Sequence, residues 1–375
     1  METSKMEKIN KRRKTQIIAL YLPQFHRVKE NDEWWGEGFT EWTNVRKAKS
    51  LFDGHLQPRK PIGLGYYDLS NVEVLLSQMK LAKDYGIDGF CFYHYWFTGK
   101  KLLEKPIENL LQVENPPLQY MFCWANEPWT RTWDGDLGSK QILMAQDYGG
   151  ERDWAEHFQY LLPFFKRDEY IKKDGKPVIA IYKSADIKNR REMFSLWDRM
   201  AKENGFKDGL FIINTRRVQN VENELPIYGD GVFDFEPFIS QYYSLNKKVG
   251  KIYPSYDFDQ TGKEFFVYDY HKVCERMIHR EVFRNVNHFL GFFTGWDNSP
   301  RVGDRVSTMY ENNTPEAVAH YFRIQYQRSI DLENDFLFIN AWNEWGEGTF
   351  LEPDENYQYG YLEAIKRGKE NVRLD

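Results

Sequence analysis

Cysteine is scarce in this chain, which has three in 375 residues, an odd number without the paired spacing of a disulfide framework. Long apolar runs are absent too, since no stretch approaches the roughly 20 residues that a membrane-spanning helix needs. Residues 1–14 form a basic polar tail that lacks the apolar segment of a signal peptide. A formal charge of −5 leaves no basic excess for nucleic-acid binding. The sequence therefore predicts a cytoplasmic protein with free thiols, no membrane span and no nucleic-acid partner.

Cofactor motifs are equally sparse. No Gly-x-Gly-x-x-Gly turn opens a helix after the first predicted strand, which argues against dinucleotide binding. No His-x-x-x-His or Cys-x-x-Cys spacing indicates a zinc site. We therefore expect no metal and no cofactor.

Aromatic residues are what the chain has in excess, with 12 Trp, 24 Tyr and 27 Phe making up 17% of the sequence. Many lie in polar company, as in Trp34-Trp35-Gly36 and Trp129-Thr130-Arg131-Thr132-Trp133, although an aromatic core accounts for most of the Phe residues. Sugars stack their flat C–H faces on aromatic rings while their hydroxyls take hydrogen bonds from polar neighbours. This composition favours a carbohydrate-binding cleft and an oligosaccharide or polysaccharide partner.

Eight short runs of apolar residues read as strands, several of them apolar throughout, as expected for strands buried on both faces. They are Gln16–Leu22, Ile87–Tyr93, Leu118–Cys123, Val178–Tyr182, Leu210–Asn214, Val232–Glu236, Phe289–Thr294 and Phe336–Asn340. Helical patterns fall between them at Ser70–Tyr85, Arg152–Phe165, Arg190–Asn204, Glu264–Met277 and Thr314–Leu332. The alternation predicts an α/β fold, a (β/α)₈ TIM barrel with long βα loops, formed by residues 15–375 as a single catalytic domain. A doubly wound sheet is the alternative.

In such barrels, functional side chains gather at the carboxyl ends of the strands. Polar and aromatic clusters follow the predicted strands at that end, whereas the helix-to-strand connections are ordinary polar turns. The predicted substrate-binding residues are Gln24, His26, Trp42, His94, Trp96, Trp124, Asn126, Glu127, Trp129, Arg131, Tyr182, Arg216, Glu236, Trp296, Asp297, Asn343 and Trp345.

The catalytic candidates are Glu344 and Glu347, which follow the last predicted strand in a turn rich in Trp and Gly. Cleaving a glycosidic bond needs two carboxyl groups in different protonation states. If the chain turns at Gly346, both acids point the same way, whereas an extended strand would place residues three apart on opposite faces. We expect them to face one pocket walled by indoles of Trp96, Trp124, Trp296 or Trp345.

Five motifs spread over nearly the whole chain resemble one family. They are Tyr21–His26, Trp34–Trp42, Trp124–Glu127, Gly295–Arg301 and Asn343–Gly348. They look like the glycoside hydrolase family 99-like group of bacterial proteins, which often accompany polysaccharide or O-antigen synthesis and in some cases are called glycosyltransferases.

The resemblance implies a (β/α)₈ barrel without a metal and an endo-α-mannosidase-like chemistry that retains configuration. Glu344 and Glu347 match the Glu-x-x-Glu motif of the namesake hydrolases. By that similarity Glu344 deprotonates the sugar 2-hydroxyl, which attacks the anomeric carbon to give a 1,2-anhydro sugar. Glu347 is then the general acid and later the base that activates water. Gly346 stands where the namesake enzymes carry a bulkier residue, which bears on the substrate.

Several assignments stay open. Asn126-Glu127-Pro128 also resembles the acid/base motif of a large clan of barrel glycosidases, but there the acid follows the fourth strand, and here the motif follows the third, which favours substrate binding. Asp297 and Arg301 either hold sugar hydroxyls or an acidic sugar, or form a structural ion pair. Asp134-Gly135-Asp136 resembles the metal-binding pair of nucleotide-sugar transferases, although Asp and Gly populate ordinary turns freely.

Three functions are compatible with these residues: a retaining glycoside hydrolase, a glycosyltransferase of bacterial polysaccharide or O-antigen biosynthesis, and a carbohydrate-binding barrel without catalysis. Transfer from a nucleotide sugar requires a basic cluster for the phosphates, for which Arg216-Arg217 is the candidate. The sequence carries no signal for an oligomeric state.

Overall fold

A computed structural model of the chain describes residues 15–131, 141–217, 228–241, 265–303 and 307–372. The basic tail 1–14 and Asp134-Gly135-Asp136 lie outside the described residues. The eight barrel strands are β1 (Gln16–Tyr21), β2 (Gly89–Phe97), β3 (Gln119–Trp124), β4 (Lys176–Ile181), β5 (Phe211–Arg216), β6 (Gly231–Asp234), β7 (Asn287–Phe293) and β8 (Phe336–Asn340). Each matches one of the eight predicted strands.

The strands close into a barrel. Strand β1 pairs in parallel with β2 on one side, with Ile18 opposite Gly89, and with β8 on the other, with Gln16 opposite Phe336. The strands from β2 to β8 each pair in parallel with the next in sequence. The predicted (β/α)₈ barrel is confirmed, and the doubly wound alternative is wrong because its sheet would remain open.

The barrel strands are buried on both faces, which explains their apolar composition. All nine residues of β2 are buried. Inside the barrel, Phe233 of β6 stacks on Phe338 of β8 with ring centroids 4.3 Å apart. On the outside, Phe292 of β7 packs edge-on against Phe322 at 5.3 Å, on a helix of the outer layer.

The outer layer consists of helices that follow the strands. Among the described residues they are α1 (Lys29–Trp35), α2 (Glu41–Lys47), α3 (Val72–Asp84), α4 (Lys105–Leu110), α5 (Glu151–Phe165), α6 (Arg190–Glu203), α7 (Tyr270–His279), α8 (Ser299–Val302), α9 (Pro315–Asp331) and α10 (Gly360–Glu370). The predicted helices at α3, α5, α6 and α9 are confirmed. Thr314 caps α9 by accepting a hydrogen bond from the backbone of Ala317.

Two local predictions are wrong. The helix predicted from Ser70 begins at Val72, and its cap is Asn71, whose side chain accepts from the Glu73 backbone at 3.0 Å. The helix predicted from Glu264 begins only at Tyr270, since Phe265–Asp269 is a strand. Its aromatic and β-branched residues favour that strand, which pairs in parallel with Ser307–Glu311.

Short strands elsewhere build the loops. They are Lys100–Leu102, Trp129–Thr130, Ile142–Met144, Lys172–Lys173, Asn343–Glu344 and Thr349–Phe350. Cys91, Cys123 and Cys274 are buried free thiols, as predicted. Within the described ranges, no helix has the length and apolar character that crossing a bilayer requires.

Candidate active site

The two acids lie in a tight turn after β8. Asn343–Glu344 pairs antiparallel with Thr349–Phe350, and the intervening Trp345–Glu347 forms one turn of 3₁₀ helix. Gly348 reverses the chain in the left-handed conformation, with φ of 62°, which glycine adopts without steric cost. Because of this turn, the side chains of Glu344 and Glu347 point to the same side.

One arginine holds both acids. Arg301, in the short helix α8 after β7, donates from Nη2 to Glu344 at 2.8 Å and from Nη1 to Glu347. Its Nε donates to Glu41 at 2.7 Å, at the start of α2. Glu41 is buried and the Arg301 side chain is only 9% exposed, and this single guanidinium is surrounded by three carboxylates. Arg301 therefore forms ion pairs with these three acids, whereas the Asp297 carboxylate lies against His55.

Gly346 is the position that lets these groups meet. A Cβ atom there would lie 1.8 Å from Glu41 Oε1 and 2.8 Å from Arg301 Nε. Both distances are far below van der Waals contact, so any larger residue at 346 would displace the ion pair. The glycine is therefore required by the Glu41–Arg301 contact.

Burial changes the acidity of the pair. It raises the pKa of Glu344 to about 8, because the loss of water and the negative charges of Glu347 and Glu41 outweigh Arg301. Burial also raises the pKa of Glu347, again with Arg301 opposing and Glu41 reinforcing the shift. Glu344 is 5% exposed. The pair therefore holds a proton at neutral pH, and interacting carboxyls of this kind titrate as a unit.

Both acids line one open cavity of about 370 Å³ at the carboxyl end of the barrel. Six of its sixteen lining residues are aromatic. The aromatic lining residues are Trp35, Tyr93, Tyr95, Trp129, Tyr182 and Phe235. A concave site with aromatic walls and a few convergent polar groups is the usual form of a small-ligand pocket.

A second charged group lies in the same cavity, at the ends of β3 to β5. Glu127 Oε2 accepts from Lys183 Nζ at 2.7 Å and from Arg217 Nη1 at 3.4 Å. Asn126 fixes this arrangement, because its side-chain oxygen accepts from the Lys183 backbone at 2.7 Å and its amide donates to the Lys183 carbonyl at 2.8 Å. Arg217 also lies over the Tyr182 ring, 4.1 Å from its centroid.

Comparison with known proteins identifies the family. The family model described as Glycosyltransferase WbsX matches residues 17–365. The chain belongs to this family. Proteins named WxcX from two strains of Xanthomonas campestris pv. campestris, described as uncharacterized, are each 33% identical over 356 residues, or 94% of this chain. The chain spans about half the length of these curated relatives, since the match covers 49% of each.

Solved structures share the fold of this WbsX-family chain. The glycoside hydrolase family 99 endo-α-mannosidase of Bacteroides thetaiotaomicron has a TM-score of 0.54 at 15% identity, covering 95% of this chain and 96% of that one. A glycoside hydrolase-like protein has a TM-score of 0.57 at 14% identity, covering 95% and 94%. The resemblance stated from the sequence motifs is confirmed, and the chain is a member of a carbohydrate-active enzyme family with the barrel of these hydrolases.

Three aromatic and imidazole side chains predicted to face the sugar lie on the outer face of the barrel instead. His94, Trp96 and Trp124 all contact His157 of α5: the two imidazole Nε2 atoms are 2.8 Å apart, and the two indoles lie within 4.8 Å of its ring. Burial lowers the pKa of His94 to about 3 and also lowers that of His157, so both are neutral. These residues pack the barrel against the helix.

Arg216 and Glu236 also point away from the cavity. Arg216 Nη1 donates to Asp234 at 2.8 Å, and Arg280 binds both Asp234 at 2.5 Å and Glu236 at 2.7 Å. His288 Nε2 lies 2.9 Å from Asp234. The cluster is buried between the outer face of the barrel and the helices. Of the predicted arginine pair, only Arg217 contacts residues that line the cavity.

The loop after β1 places its predicted residues in the core. His26 is buried, with Nδ1 2.9 Å from a backbone carbonyl, and burial lowers its pKa. Trp42 is buried and donates from Nε1 to the Tyr67 carbonyl at 2.8 Å. Gln24 is buried, and its carbonyl accepts from the Glu41 backbone at 3.1 Å. These residues support the position of Glu41 rather than lining the pocket.

Asn343 and Trp345 hold the acid turn in place. The Asn343 side chain accepts from the Leu22 backbone at 2.8 Å and donates to its carbonyl at 2.9 Å, which ties the turn to the end of β1. Trp345 stacks on Phe350 and donates from Nε1 to Glu352 at 2.6 Å. Neither lines the cavity, so both contribute by fixing the positions of the two acids.

Trp296 and Asp297 line a separate cavity of about 400 Å³. The Asp297 carboxylate accepts from Gln57 at 2.6 Å and lies 2.9 Å from His55 Nε2. Its backbone N–H donates to the Glu347 carbonyl at 2.6 Å, so the acid turn separates the two cavities. Arg131 lies elsewhere again, 5.6 Å from the Trp35 ring, at the rim of the first cavity.

Sequence reasoning missed several residues of the site, namely Trp35, Glu41, Tyr93, Tyr95, Lys183 and Phe235. The signal that could have identified Tyr93 and Tyr95 is the alternation of side chains along a strand, which places neighbouring residues on opposite faces. On β2, Tyr93 and Tyr95 face inward and line the cavity, whereas His94 and Trp96 face the helices. No such signal marks Glu41, which lies on a helix far from the acids in sequence.

Proposed function

We propose that the chain is a retaining glycoside hydrolase that cleaves an oligosaccharide or polysaccharide with Glu344 and Glu347. The observation that carries this proposal is that both carboxyl groups line one aromatic-walled cavity and bind the same guanidinium, that of Arg301. Glycosidases need two carboxyl groups beside the scissile bond, one that protonates the departing oxygen and one that acts as base or nucleophile. We propose further that residues 15–375 act as one catalytic domain.

The proposed reaction has two steps. Glu344 takes the proton of the 2-hydroxyl, whose oxygen attacks the anomeric carbon while Glu347 protonates the departing glycosidic oxygen. A 1,2-anhydro sugar results. In the second step Glu347 takes a proton from water, the water oxygen attacks the anomeric carbon, and the opened O2 regains its proton from Glu344. The atoms balance, and two inversions give net retention.

The protonation of the pair supports acid–base chemistry near neutral pH. With the pKa of Glu344 raised to about 8, the two carboxyls retain one proton between them where ordinary carboxyls would be ionised. The scheme requires that proton on Glu347, with Glu344 ionised to accept one. The raised pKa of Glu344 favours the proton on Glu344, so the active form is the minor protonation state of the pair. Arg301 contacts both groups and stabilises whichever is ionised.

Glycosyl transfer is the second candidate, and two observations favour it. The family model is named for a glycosyltransferase. Lys183 and Arg217 lie together at one end of the cavity, where the phosphates of a nucleotide-sugar donor could bind. In that reaction a sugar hydroxyl takes the place of water.

The test uses purified protein and a panel of glycans, incubated with and without nucleotide sugars. We expect Glu347→Gln to slow turnover on the order of 10²–10⁴-fold while sugar binding persists, because it removes the general acid. The control is Glu203→Gln, which removes the same negative charge from an exposed residue at the end of α6 and should leave turnover unchanged.

Each outcome selects one function. Cleavage without a nucleotide sugar supports the hydrolase, and elongation only in its presence supports the transferase. Glycan binding with no turnover by the wild-type protein supports a binding module. Unchanged turnover in both Glu344→Gln and Glu347→Gln contradicts the proposed catalytic pair.

A further inference from the structure

We propose that the cavity binds an anionic substituent of its saccharide, a carboxylate or a phosphate, between Lys183 and Arg217. The proposal rests on the proposed carbohydrate function and names the class of substrate. It assigns to the part of the cavity around Glu127 a role in selecting charged sugars over neutral ones.

The two cations are brought together by the barrel itself. Glu127, Lys183 and Arg217 follow the consecutive strands β3, β4 and β5, whose carboxyl ends lie side by side. Asn126 clamps the first two of these loops together through two hydrogen bonds to the backbone of Lys183. The adjacent barrel strands and the hydrogen bonds of Asn126 therefore fix the positions of the three side chains.

Among the described residues, two cationic side chains contact the single carboxylate of Glu127. Lys183 and Arg217 both approach the same oxygen of Glu127, at 2.7 and 3.4 Å. An ammonium group and a guanidinium group together offer eight N–H donors. Lys183 is 25% exposed and Arg217 27% exposed, so both are half-buried yet accessible. An anion that accepts hydrogen bonds from the remaining donors stabilises this half-buried positive charge.

Arg217 has the geometry for such an anion. Its guanidinium lies over the Tyr182 ring at 4.1 Å and near Phe235 at 5.8 Å. Stacking fixes the plane of the group and leaves its edge for in-plane contacts, which is how arginine binds carboxylates and phosphates with two parallel hydrogen bonds. Tyr182 and Phe235 line the cavity, so the sugar ring and its anion can contact the same wall.

The acid cluster has the reverse charge balance. There Arg301 faces the three carboxylates of Glu41, Glu344 and Glu347, so negative charge is in excess even with one proton on the pair. An anionic substituent is repelled by this cluster and attracted to Lys183 and Arg217. The polarity of the cavity therefore orients the saccharide, with its scissile bond at the acids and its charge at Lys183 and Arg217.

The experiment measures binding of four probes to the full chain by ligand-observed NMR titration: glucose, glucuronate, glucose 1-phosphate and uridine diphosphate. We expect the wild-type protein to bind glucuronate or glucose 1-phosphate about tenfold more tightly than glucose, as hydrogen bonds to charged groups allow. The preference should weaken as salt rises. A preference for glucuronate identifies a carboxylate as the natural anion, and one for glucose 1-phosphate or uridine diphosphate identifies a phosphate.

Arg217→Gln and Lys183→Gln should each reduce that preference severalfold while glucose binding stays within twofold of wild type. Arg217→Lys should restore part of it, because it restores the charge. Lys207→Gln, an exposed residue in the turn between α6 and β5 at the other end of the barrel, is the matched control and should change nothing. Circular dichroism of each variant checks that it is folded.

Equal binding of glucose and the charged probes by the wild type overturns the proposal, as does a preference that survives in both variants. If glucose binds as tightly as the charged probes and Glu347→Gln still abolishes turnover, only the anion site is contradicted and the proposed function stands. If no probe binds and no glycan is processed, both fail.

Discussion

At the scale of single residues, the site depends on Arg301 and on the three carboxylates that surround it. Burial of Glu344 and Glu347 raises their pKa values, and the net negative charge of this cluster adds to the shift, so both values are raised despite direct contacts with a cation. Glu41 is the member of this cluster that the proposed reaction does not use. Its role is to position Arg301 and to add negative charge.

The role of Glu41 leads to a prediction for Glu41→Gln. The amide oxygen still accepts from Arg301 Nε, but the loss of a negative charge lowers the pKa of Glu344 and Glu347, both of which Glu41 raises. We expect the bell-shaped dependence of kcat on pH to move to lower pH by about one unit. Glu37→Gln, in the same loop with a side chain that is 90% exposed, is the control. An unshifted profile would contradict the role of Glu41.

Gly346→Ala tests the close contact at the turn. The added Cβ would overlap Glu41 Oε1, so the Glu41–Arg301 pair must move. We expect a loss of about 1–3 kcal/mol in the free energy of unfolding, measured with a chemical denaturant, together with reduced kcat.

Two comparisons sharpen this test. Gly150→Ala adds a Cβ with no atom within 4 Å, so it causes no overlap and its cost is limited to the weaker helix cap that alanine gives at the start of α5. Combining Gly346→Ala with Glu41→Ala should cost less than the sum of the two single changes, because the overlapping oxygen is gone. Strict additivity would show that the overlap is not the cause.

At the scale of the elements, the alternation of side chains along each strand decides which residues meet the cavity. Adjacent residues on a barrel strand face opposite sides, one toward the interior and one toward the helices. Tyr93 lines the cavity while its neighbour His94 bonds to α5. Arg217 contacts the cavity wall while Arg216 joins the outer ion cluster.

The outer cluster gives a prediction that separates Arg216 from its neighbour. Arg216→Gln removes one partner of the buried Asp234, which keeps Arg280 and His288. We expect a destabilisation of about 3 kcal/mol, because breaking a buried ion pair leaves charge uncompensated. The KM and kcat of the folded variant should match wild type. A raised KM with unchanged stability would instead support the substrate-binding role predicted from the sequence.

At the scale of the whole molecule, the raised carboxyl pKa values link stability to pH. Burial raises the pKa of Glu344 to about 8 and that of Glu352 to about 7, while the same groups in the unfolded chain titrate near 4.5. Between these values the folded state holds protons that the unfolded state has released. These two groups therefore lower the stability of the fold as pH rises from about 4.5 to 8.

Glu344→Gln should reverse part of this loss. We expect its melting temperature to exceed that of wild type by about 1–2 °C at pH 8, since roughly 1 kcal/mol divided by an unfolding entropy of about 2.1 cal/mol/K per residue gives such a shift for 375 residues. The difference should shrink toward pH 5, where the wild-type carboxyl is protonated. Thermal unfolding followed by circular dichroism from pH 5 to 8.5 measures it, with Glu203→Gln as the control. A lower melting temperature at every pH would show that the Arg301 contact outweighs the burial cost.

The sequence by itself determined the barrel and the acid pair. Apolar runs with helical patterns between them are local properties of the sequence, so the eight strands were predictable. The turn expected around Gly346 likewise predicted that Glu344 and Glu347 lie on one side. Membership of the family could also be inferred from the motifs. The rule that function gathers at strand ends selected the correct end of the barrel but not the correct side chains.

Only the tertiary structure decided which side chains share the cavity. Inward or outward orientation depends on the register of each strand, and a change of one residue replaces Arg216 by Arg217. Glu41 meets Arg301 across 260 residues, and Gly346 is needed because both lie against it. Contacts of this kind depend on barrel closure, which brings β1 beside β8, and the separation along the chain gives no local sign of them.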